Sequence, residues 1–349
     1  MELNIDEGLL FLASAQYVSS DELTTYFIGL CRLDQSVLVK TIFLGAFASN
    51  ARVEQLIKRR YAEKIGRQVE KFSRLSRSCV VKIEGTIHYM NNYFVPTDFH
   101  FGGNFLNWIT SQTDIKVHTV CVAIQHMLRG LNYLHQNGIA HGNLRMSNIL
   151  FKQDQPESAA IVLDASVKSE MLKVFSPVPL QPEFCPPELM DSVLQLASEW
   201  PAVNGGVRND EQLKQVDELL TPTKQLDNWC AGIIAFVALT GSFPFQGELI
   251  AIRESLRSGR SGGPSESPLF RSFAQGVQNL ITWFLRVDPT ERAQAKDGCP
   301  ETWFNDELTK NDNRNLLYLI EYGFVNLELI SSRQTQQMFT CIRDRCTQL

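Results

Sequence analysis

The segment His141–Leu150 has a histidine, two asparagines and an arginine in an order typical of a loop that positions a hydroxyl for phosphoryl transfer. Such a loop needs a carboxylate where this chain has Asn143, because a general base must accept the proton of the attacking hydroxyl. An amide can hold a hydroxyl by hydrogen bonding but cannot accept that proton. The segment therefore predicts the frame of a phosphoryl-transfer loop without its ordinary acid–base chemistry.

The elements that must position this loop form two groups along the chain. The first hundred residues contain five short β-rich runs, at 9–13, 24–30, 37–44, 80–88 and 93–95, and one polar helical segment at 53–77. After Gly102-Gly103, helices begin with Val117–Gln136, which ends at Asn137-Gly138. Two brief strands, Ile149–Phe151 and Ala160–Leu163, follow. We expect a small β-rich part up to about residue 100 and a larger helical part after it.

Seven motifs, in chain order across residues 8–304, resemble those of the eukaryotic protein kinases, specifically the serine/threonine-kinase-like members. They are Val37–Lys40, the loop at 141–150, Ile161–Ser166, Cys185–Glu188, Asp227–Gly232, Thr240–Phe245 and Asp288–Arg292. The resemblance implies an α+β, bilobal fold. It has a β-rich N-lobe with one main helix (1–100) and a mostly helical C-lobe (101–304) with an insertion at about 191–226. A helical C-terminal extension (305–349) follows.

Within this resemblance, three residues form a candidate nucleotide site. Lys40 would neutralise the phosphates of ATP, and Asn148 and Asp164 would hold magnesium. A second interpretation remains open, in which the lysine and the aspartate pair across an empty cleft and stabilise the fold.

The stretch that would cover the phosphates contains Ala13, Ala15 and the aromatic Tyr17, and it has no glycine. Glycine is usual there because backbone amides must approach the phosphates without an intervening Cβ. Bound ATP with magnesium and no cofactor at all are therefore both compatible with the sequence.

Other departures from the family pattern affect regulation and catalysis. Gly142 replaces the arginine that receives a phosphorylated activation loop in many relatives, and Arg145 replaces a lysine but could still face the γ-phosphate. Ala165-Ser166 replaces the phenylalanine and glycine that follow the metal-binding aspartate. Together with Asn143, these changes predict a catalytically impaired pseudokinase that serves as a scaffold or allosteric partner. An atypical but active serine/threonine kinase and an interaction module with an empty cleft are the alternatives.

Four residues are expected to keep the fold rather than do chemistry. His141 would pack in the interior, and Asp227 would begin a buried central helix. Glu188 and Arg292 should form an ion pair between the substrate-side loop and the helical lobe.

The acidic partner of Lys40 is ambiguous. Counting back without gaps from the strand at Val80 places Gln68 at the position of that partner, which would turn an ion pair into a hydrogen bond. A local shift would instead give the role to Glu70, with Glu63 as a further neighbour.

Three segments outside the motifs are candidate interaction surfaces. The helical segment Arg52–Arg77 is basic and could bind phosphate groups, RNA or an acidic partner, although a solvated helix face is the simpler interpretation. The helix at Asn209–Leu220 within the insertion, and the extension after Asn305, could each contact a protein partner or fold back on their own lobe.

Composition sets the remaining limits. A net charge of -5 over 349 residues argues against nucleic acid as the main ligand. The eight cysteines contain no C-x-x-C pair and are expected to be reduced, the N-terminus lacks a basic signal sequence, and no apolar run reaches the length of a membrane span. A cytoplasmic protein is expected.

Overall fold

The computed structural model describes most of the chain. The described residues are 2–5, 8–20, 24–30, 36–43, 51–75, 77–83, 87–89, 92–98, 100, 102–163, 182–199, 209–259 and 263–316.

A six-stranded antiparallel sheet forms the first lobe, in the order β1-β2-β3-β4-β6-β5. The strands are β1 Glu2–Ile5, β2 Gly8–Ser20, β3 Thr24–Leu30, β4 Ser36–Phe43, β5 Ile87–Tyr89 and β6 Asn92–Asp98. In the register of the sheet, Lys40 of β4 lies opposite Tyr26 of β3 and Val95 of β6. The candidate lysine therefore lies on an interior strand that is fixed from both sides.

One long helix, α1 (Ala51–Ser73), lies between β4 and β5 in the chain. Its apolar residues recur at helical spacing, so that Ile57, Tyr61, Ile65 and Phe72 share one buried face. Most of the charged residues lie on the other faces. The chain thus forms an amphipathic helix with a basic outer surface.

A second, small sheet supports the candidate loop. It consists of β7 (Gly103–Asn104), β8 (Ile149–Phe151) and β9 (Ala159–Ile161), paired antiparallel in that order. Short 3₁₀ turns flank these strands at Met146–Asn148 and Pro156–Ser158. The loop therefore ends directly in a strand whose register is fixed by two neighbours.

Helices make up the rest of the second lobe. They are α2 Phe105–Ser111, α3 Val117–Gln136, α4 Pro187–Ser198, α5 Asp210–Leu219, α6 Lys224–Thr240, α7 Leu249–Ser258, α8 Pro268–Arg271, α9 Gln275–Phe284 and α10 Glu307–Lys310. Further 3₁₀ turns lie at Pro182–Phe184, Pro264–Glu266, Ala295–Gly298 and Glu301–Trp303.

Helix α6 is the centre of this lobe, because all its residues from Asp227 to Thr240 are buried. A helix that is apolar on every side is typical of an interior position. Gly232 allows α9 to approach closely, since a Cβ at this position would lie 2.8 Å from Cβ of Phe284. The core of the lobe is thus built around one enclosed helix.

The α+β, bilobal fold expected from the sequence is confirmed, with the change from sheet to helices falling between Asp98 and Phe105. The expected strand at 80–88 was wrong in part. Val80 and Ile83 form only isolated bridges, and a regular strand begins at Ile87. Within the described parts of the chain, no helix combines the length and apolarity that crossing a membrane requires.

The start of the C-terminal extension packs against the second lobe. The backbone N–H of Leu316 donates to the carbonyl of Ile115, and the side chain of Asn315 accepts from the N–H of Ile115. Leu316 is fully buried. Of the two alternatives for the extension, its described part therefore folds back on its own lobe.

Candidate functional site

Asn143, at the position of the missing base, is already engaged by its own loop. Its Oδ1 accepts a hydrogen bond of 2.6 Å from Nε of Arg145. The Asn143 carbonyl accepts from Nδ2 of Asn148 at 2.9 Å. Three of the polar residues singled out in the sequence are thus linked by hydrogen bonds, and the amide oxygen of Asn143 contacts the guanidinium of Arg145.

Arg145 is held on a second side as well. Its guanidinium lies over the ring of Phe184, 4.8 Å from the ring centroid. A cation on an aromatic face gains about 0.5–2 kcal/mol. Both contacts hold the guanidinium of Arg145 against neighbouring groups of the protein.

His141 joins this loop to helix α1. The Nε2–H of its imidazole donates to the carbonyl of Val162 at 2.9 Å, and its Nδ1 accepts from the backbone N–H of Asn143 at 3.2 Å. This pattern places the proton on Nε2. The ring of Phe72 meets the imidazole edge-on, with centroids 6.4 Å apart. His141 is buried, as expected, and an aromatic residue of α1 packs on it.

Asp227, at the start of α6, fixes the backbone of the loop. Its carboxylate accepts hydrogen bonds of 2.8 Å from the N–H groups of both His141 and Gly142, and one of 2.9 Å from Nε2 of His135. The aspartate is fully buried. Three donors satisfy a carboxylate that would otherwise be costly to bury.

Gly142 has a backbone conformation that suits glycine. Its φ is +80°, and a Cβ at this position would lie 2.5 Å from Cγ of Pro222. Other residues rarely adopt positive φ values. The residue that replaces the family's arginine is thus required both by the conformation of the loop and by the proline packed on it.

The predicted pair of Glu188 and Arg292 is present in the structure. Two terminal nitrogens of Arg292 donate to the two carboxylate oxygens of Glu188, each at 2.8 Å. The guanidinium also lies over the ring of Trp229, 5.2 Å from its centroid. The contact joins α4 to the segment after α9 and to α6.

Glu183 is a buried carboxylate close to this site that sequence reasoning missed. It is 7% exposed. Burial raises its pKa, while its own backbone N–H and the charge of Arg145 act in the opposite direction. The sequence signal was its place beside Phe184, three residues before Pro186-Pro187.

The candidate partners of Lys40 on α1 differ in orientation. Glu70 is exposed and pairs with Arg74 at 2.7 Å, and Glu63 is exposed near Arg67. Gln68 faces inward, and its buried Oε1 accepts no hydrogen bond from a residue that the structure describes. Of the two alternatives, the inward-facing position belongs to Gln68.

Several predicted site residues lie partly or wholly outside the described residues. Asp164 does so entirely, as does Ala165-Ser166. The backbones of Ala13, Ala15 and Tyr17 lie on β2 and that of Lys40 on β4, while their side chains are not among the described groups. In the described part of the chain, no group of three or more histidine, cysteine, aspartate or glutamate residues could hold a metal ion.

Some of the basic residues on and just after α1 pair with neighbouring acids. Besides the pairs with Glu63 and Glu70, Arg60 forms a bidentate contact with Asp217 of α5, at 3.0 and 2.7 Å. An open groove of about 370 Å³ beside this contact is lined by residues of both signs. The insertion helix therefore folds back on its own chain.

Comparisons with known proteins agree with this geometry. Residues 46–195 match the family model of the protein kinase domain. The chain is 24% identical over 253 residues to the ovarian-specific serine/threonine-protein kinase Lok of Drosophila melanogaster, which covers 70% of this chain and 47% of the relative. It is 25% identical over 288 residues to the serine/threonine-protein kinase RAD53 of Saccharomyces cerevisiae, covering 77% of this chain and 33% of the relative.

A crystal structure of Rad53 1-466 in complex with AMP-PNP superposes with a TM-score of 0.54 at 19% identity. The match covers 83% of this chain and 64% of that one. The chain spans about half or less of the length of the two curated relatives.

Proposed function

Because this chain belongs to the eukaryotic protein kinase superfamily, we propose that it is a catalytically impaired member, a pseudokinase, that acts as a scaffold or allosteric partner in a protein complex. The observation that carries this proposal is the contact between Asn143 and Arg145. An amide oxygen that accepts a hydrogen bond of 2.6 Å from a guanidinium occupies the position where a free carboxylate should accept a proton.

Loss of the base alone would not abolish transfer, because loose phosphoryl-transfer transition states depend strongly on positioning and on metal charge. General acid–base assistance is worth about 10²–10⁴-fold in rate. A second departure supports the proposal, since Arg145 is held by Asn143 and by the ring of Phe184. Both the residue at the position of the missing base, Asn143, and the cation of the loop, Arg145, are thus engaged in internal contacts.

Nucleotide occupancy is part of the proposal, and the described residues fit it. Asn148 donates through Nδ2 to the Asn143 carbonyl, so its side chain is oriented and its Oδ1 is left as an oxygen ligand. Asn148 and Asp164 would hold magnesium, and Lys40 would contact the phosphates. Bound magnesium-ATP would supply the phosphate charge that holds the two lobes together. Rad53, whose structure contains AMP-PNP, is a fold relative that supports this part of the proposal.

The compartment and partners are also proposals. The five described cysteines (Cys79, Cys121, Cys185, Cys230 and Cys299) are free thiols, which suits a reducing compartment such as the cytoplasm. We place the protein partners on the insertion at 191–226 and on the C-terminal extension, on surfaces other than the face of α5 that contacts α1.

A phosphotransfer assay tests the catalytic part. Purified protein with magnesium-ATP and a basic protein substrate should transfer no more phosphate than its Asp164→Asn variant, which lacks the candidate metal ligand. Transfer by the unaltered chain that this substitution abolishes would overturn the proposal. The Asn143→Asp variant shows how much of the remaining site is intact, since a gain of about 10²-fold or more would mean that only the base is missing.

Thermal unfolding tests the nucleotide part independently of transfer. A ligand that binds only the folded chain raises its stability by RT ln(1 + [L]/Kd). We expect ATP with magnesium to raise Tm in a concentration-dependent way, and Lys40→Met to reduce the shift. Absence of any shift, with or without magnesium, would indicate an interaction module with an empty cleft.

A further inference from the structure

The insertion helix α5 is a well-formed element and not an irregular loop. A capping box closes its first turn, in which the Asn209 side chain accepts from the N–H of Gln212 and the Gln212 side chain accepts from the N–H of Asn209. Leu213 and Val216 are 3% and 0% exposed. One face of the helix is therefore buried in the protein, which fixes its position.

The polar edge of α5 is hydrogen-bonded to α1. Asp217 accepts two hydrogen bonds from the guanidinium of Arg60, and the Arg60 side chain is only 13% exposed. Planar bidentate pairs of this kind are stronger and more directional than single contacts. On α1, Arg60 lies two turns before Gln68, and Phe72, which packs on His141, lies one further turn along.

The segment that follows α5 contacts the candidate loop by packing and by hydrogen bonds. Pro222 covers Gly142 so closely that a Cβ would not fit, and Asp227 accepts from the backbone N–H groups of His141 and Gly142. The short stretch from Asp217 to Asp227 thus contacts both α1 and the loop. The ring of Phe72 on α1 also meets the imidazole of His141 in the loop, so α1 and the loop contact each other as well.

From this arrangement we infer that α5 is a built-in brace that fixes α1 relative to the candidate loop, so that a change at the Arg60–Asp217 contact is transmitted to the cleft. The carboxylate of Asp217 pairs with the guanidinium of Arg60 on α1, and Pro222 occupies the space that a side chain at Gly142 would need. The inference goes beyond the proposed function, because it concerns what holds α1 in place and not what the cleft binds.

Hydrogen–deuterium exchange of the full chain, measured without nucleotide, tests the brace. Asp217→Asn keeps the size of the side chain and removes its charge. We expect the amides of both α1 and α5 to exchange about threefold to tenfold faster in this variant. The amides of α6 should stay protected, which shows that the variant is folded. Glu70→Gln is the matched control, because it removes an exposed pair from the same helix.

A double-mutant cycle decides whether the pair itself is responsible. Arg60→Gln should have the same effect on α5 as Asp217→Asn, and combining the two changes should add little to either one. Additive effects, or unchanged exchange in α1, would overturn the inference.

A measurement on the unaltered chain avoids any question of folding. Raising the salt concentration should speed exchange in α1 and α5 together, since Asp217 is partly exposed. Salt-independent exchange in both helices would contradict the brace.

Discussion

Arg292 places two guanidinium nitrogens on the two carboxylate oxygens of Glu188, and the Arg292 side chain is inaccessible to solvent. Removing the acid with Glu188→Ala would leave a buried cation without a counter-charge, although backbone carbonyls of Gln225 and Arg286 still accept from it. We expect the free energy of unfolding to fall by about 3 kcal/mol, measured by urea denaturation.

The control for this prediction is Glu291→Ala. It breaks the pair of Glu291 with Arg286, in which both side chains are exposed. Exposed pairs contribute little to stability. An equal loss in the two variants would mean that the burial of Arg292 has no energetic consequence.

Gly142 combines a positive φ with a close neighbour, and the two effects can be separated. Gly142→Ala should lower the free energy of unfolding by about 2–4 kcal/mol, through backbone strain and overpacking against Pro222. Gly138→Ala should cost only about 1 kcal/mol, because Gly138 has a similar φ of +72° and an added Cβ there would have no neighbour within 4 Å. Chemical denaturation of both variants gives the comparison. Equal losses of unfolding free energy in the two variants would show that Pro222 moves aside without an energetic penalty.

Glu183 is expected to destabilise the folded chain at neutral pH. Burial raises its pKa, so the folded state avoids the cost of a charged carboxylate only at low pH, where Glu183 is protonated. That advantage is lost as the pH rises through the pKa that Glu183 has in the folded chain. Glu183→Gln should therefore raise Tm, with a larger gain at about pH 8 than at about pH 5. The exposed Glu266→Gln is the control. A gain that does not depend on pH would exclude ionisation as its cause.

The buried thiol of Cys185 predicts a loss of stability in alkali. Burial raises its pKa to about 12 from 9.0, so above pH 9.0 the unfolded chain releases a proton that the folded chain keeps. Stability then falls as the pH rises. Between about pH 8 and about pH 9.8, Cys185→Ala should lose about 1 kcal/mol less free energy of unfolding than the unaltered chain. Parallel pH profiles from urea denaturation would contradict the assignment.

The sequence predicted those features that depend on local pattern or on a motif. Helix α3 has the bounds expected from its apolar spacing and from Asn137-Gly138 at its end. The pair of Glu188 and Arg292 followed from two motifs that place the residues 104 positions apart. Asp227 lies in the first turn of the buried helix, which begins three residues earlier than expected, at Lys224.

Features that depend on packing between distant segments were not predictable in this way. The run from Val80 has strand-forming residues, yet Val80 and Ile83 find only single bridging partners on different strands. The contact of Arg60 with Asp217 joins residues 157 positions apart, and no local pattern indicates it. The orientation of Gln68 depended on the phase of α1, which a count from a neighbouring strand left ambiguous.

The packing of Leu316 against Ile115 also has a consequence for synthesis on the ribosome. Domains generally begin to fold from the N-terminal side as the chain emerges. Here the backbone before α3 receives its partners from Asn315 and Leu316, about 200 residues later. Until the extension has left the exit tunnel, the backbone of Ile115 therefore lacks these two hydrogen-bond partners, and the site that Leu316 fills beside α3 stays open.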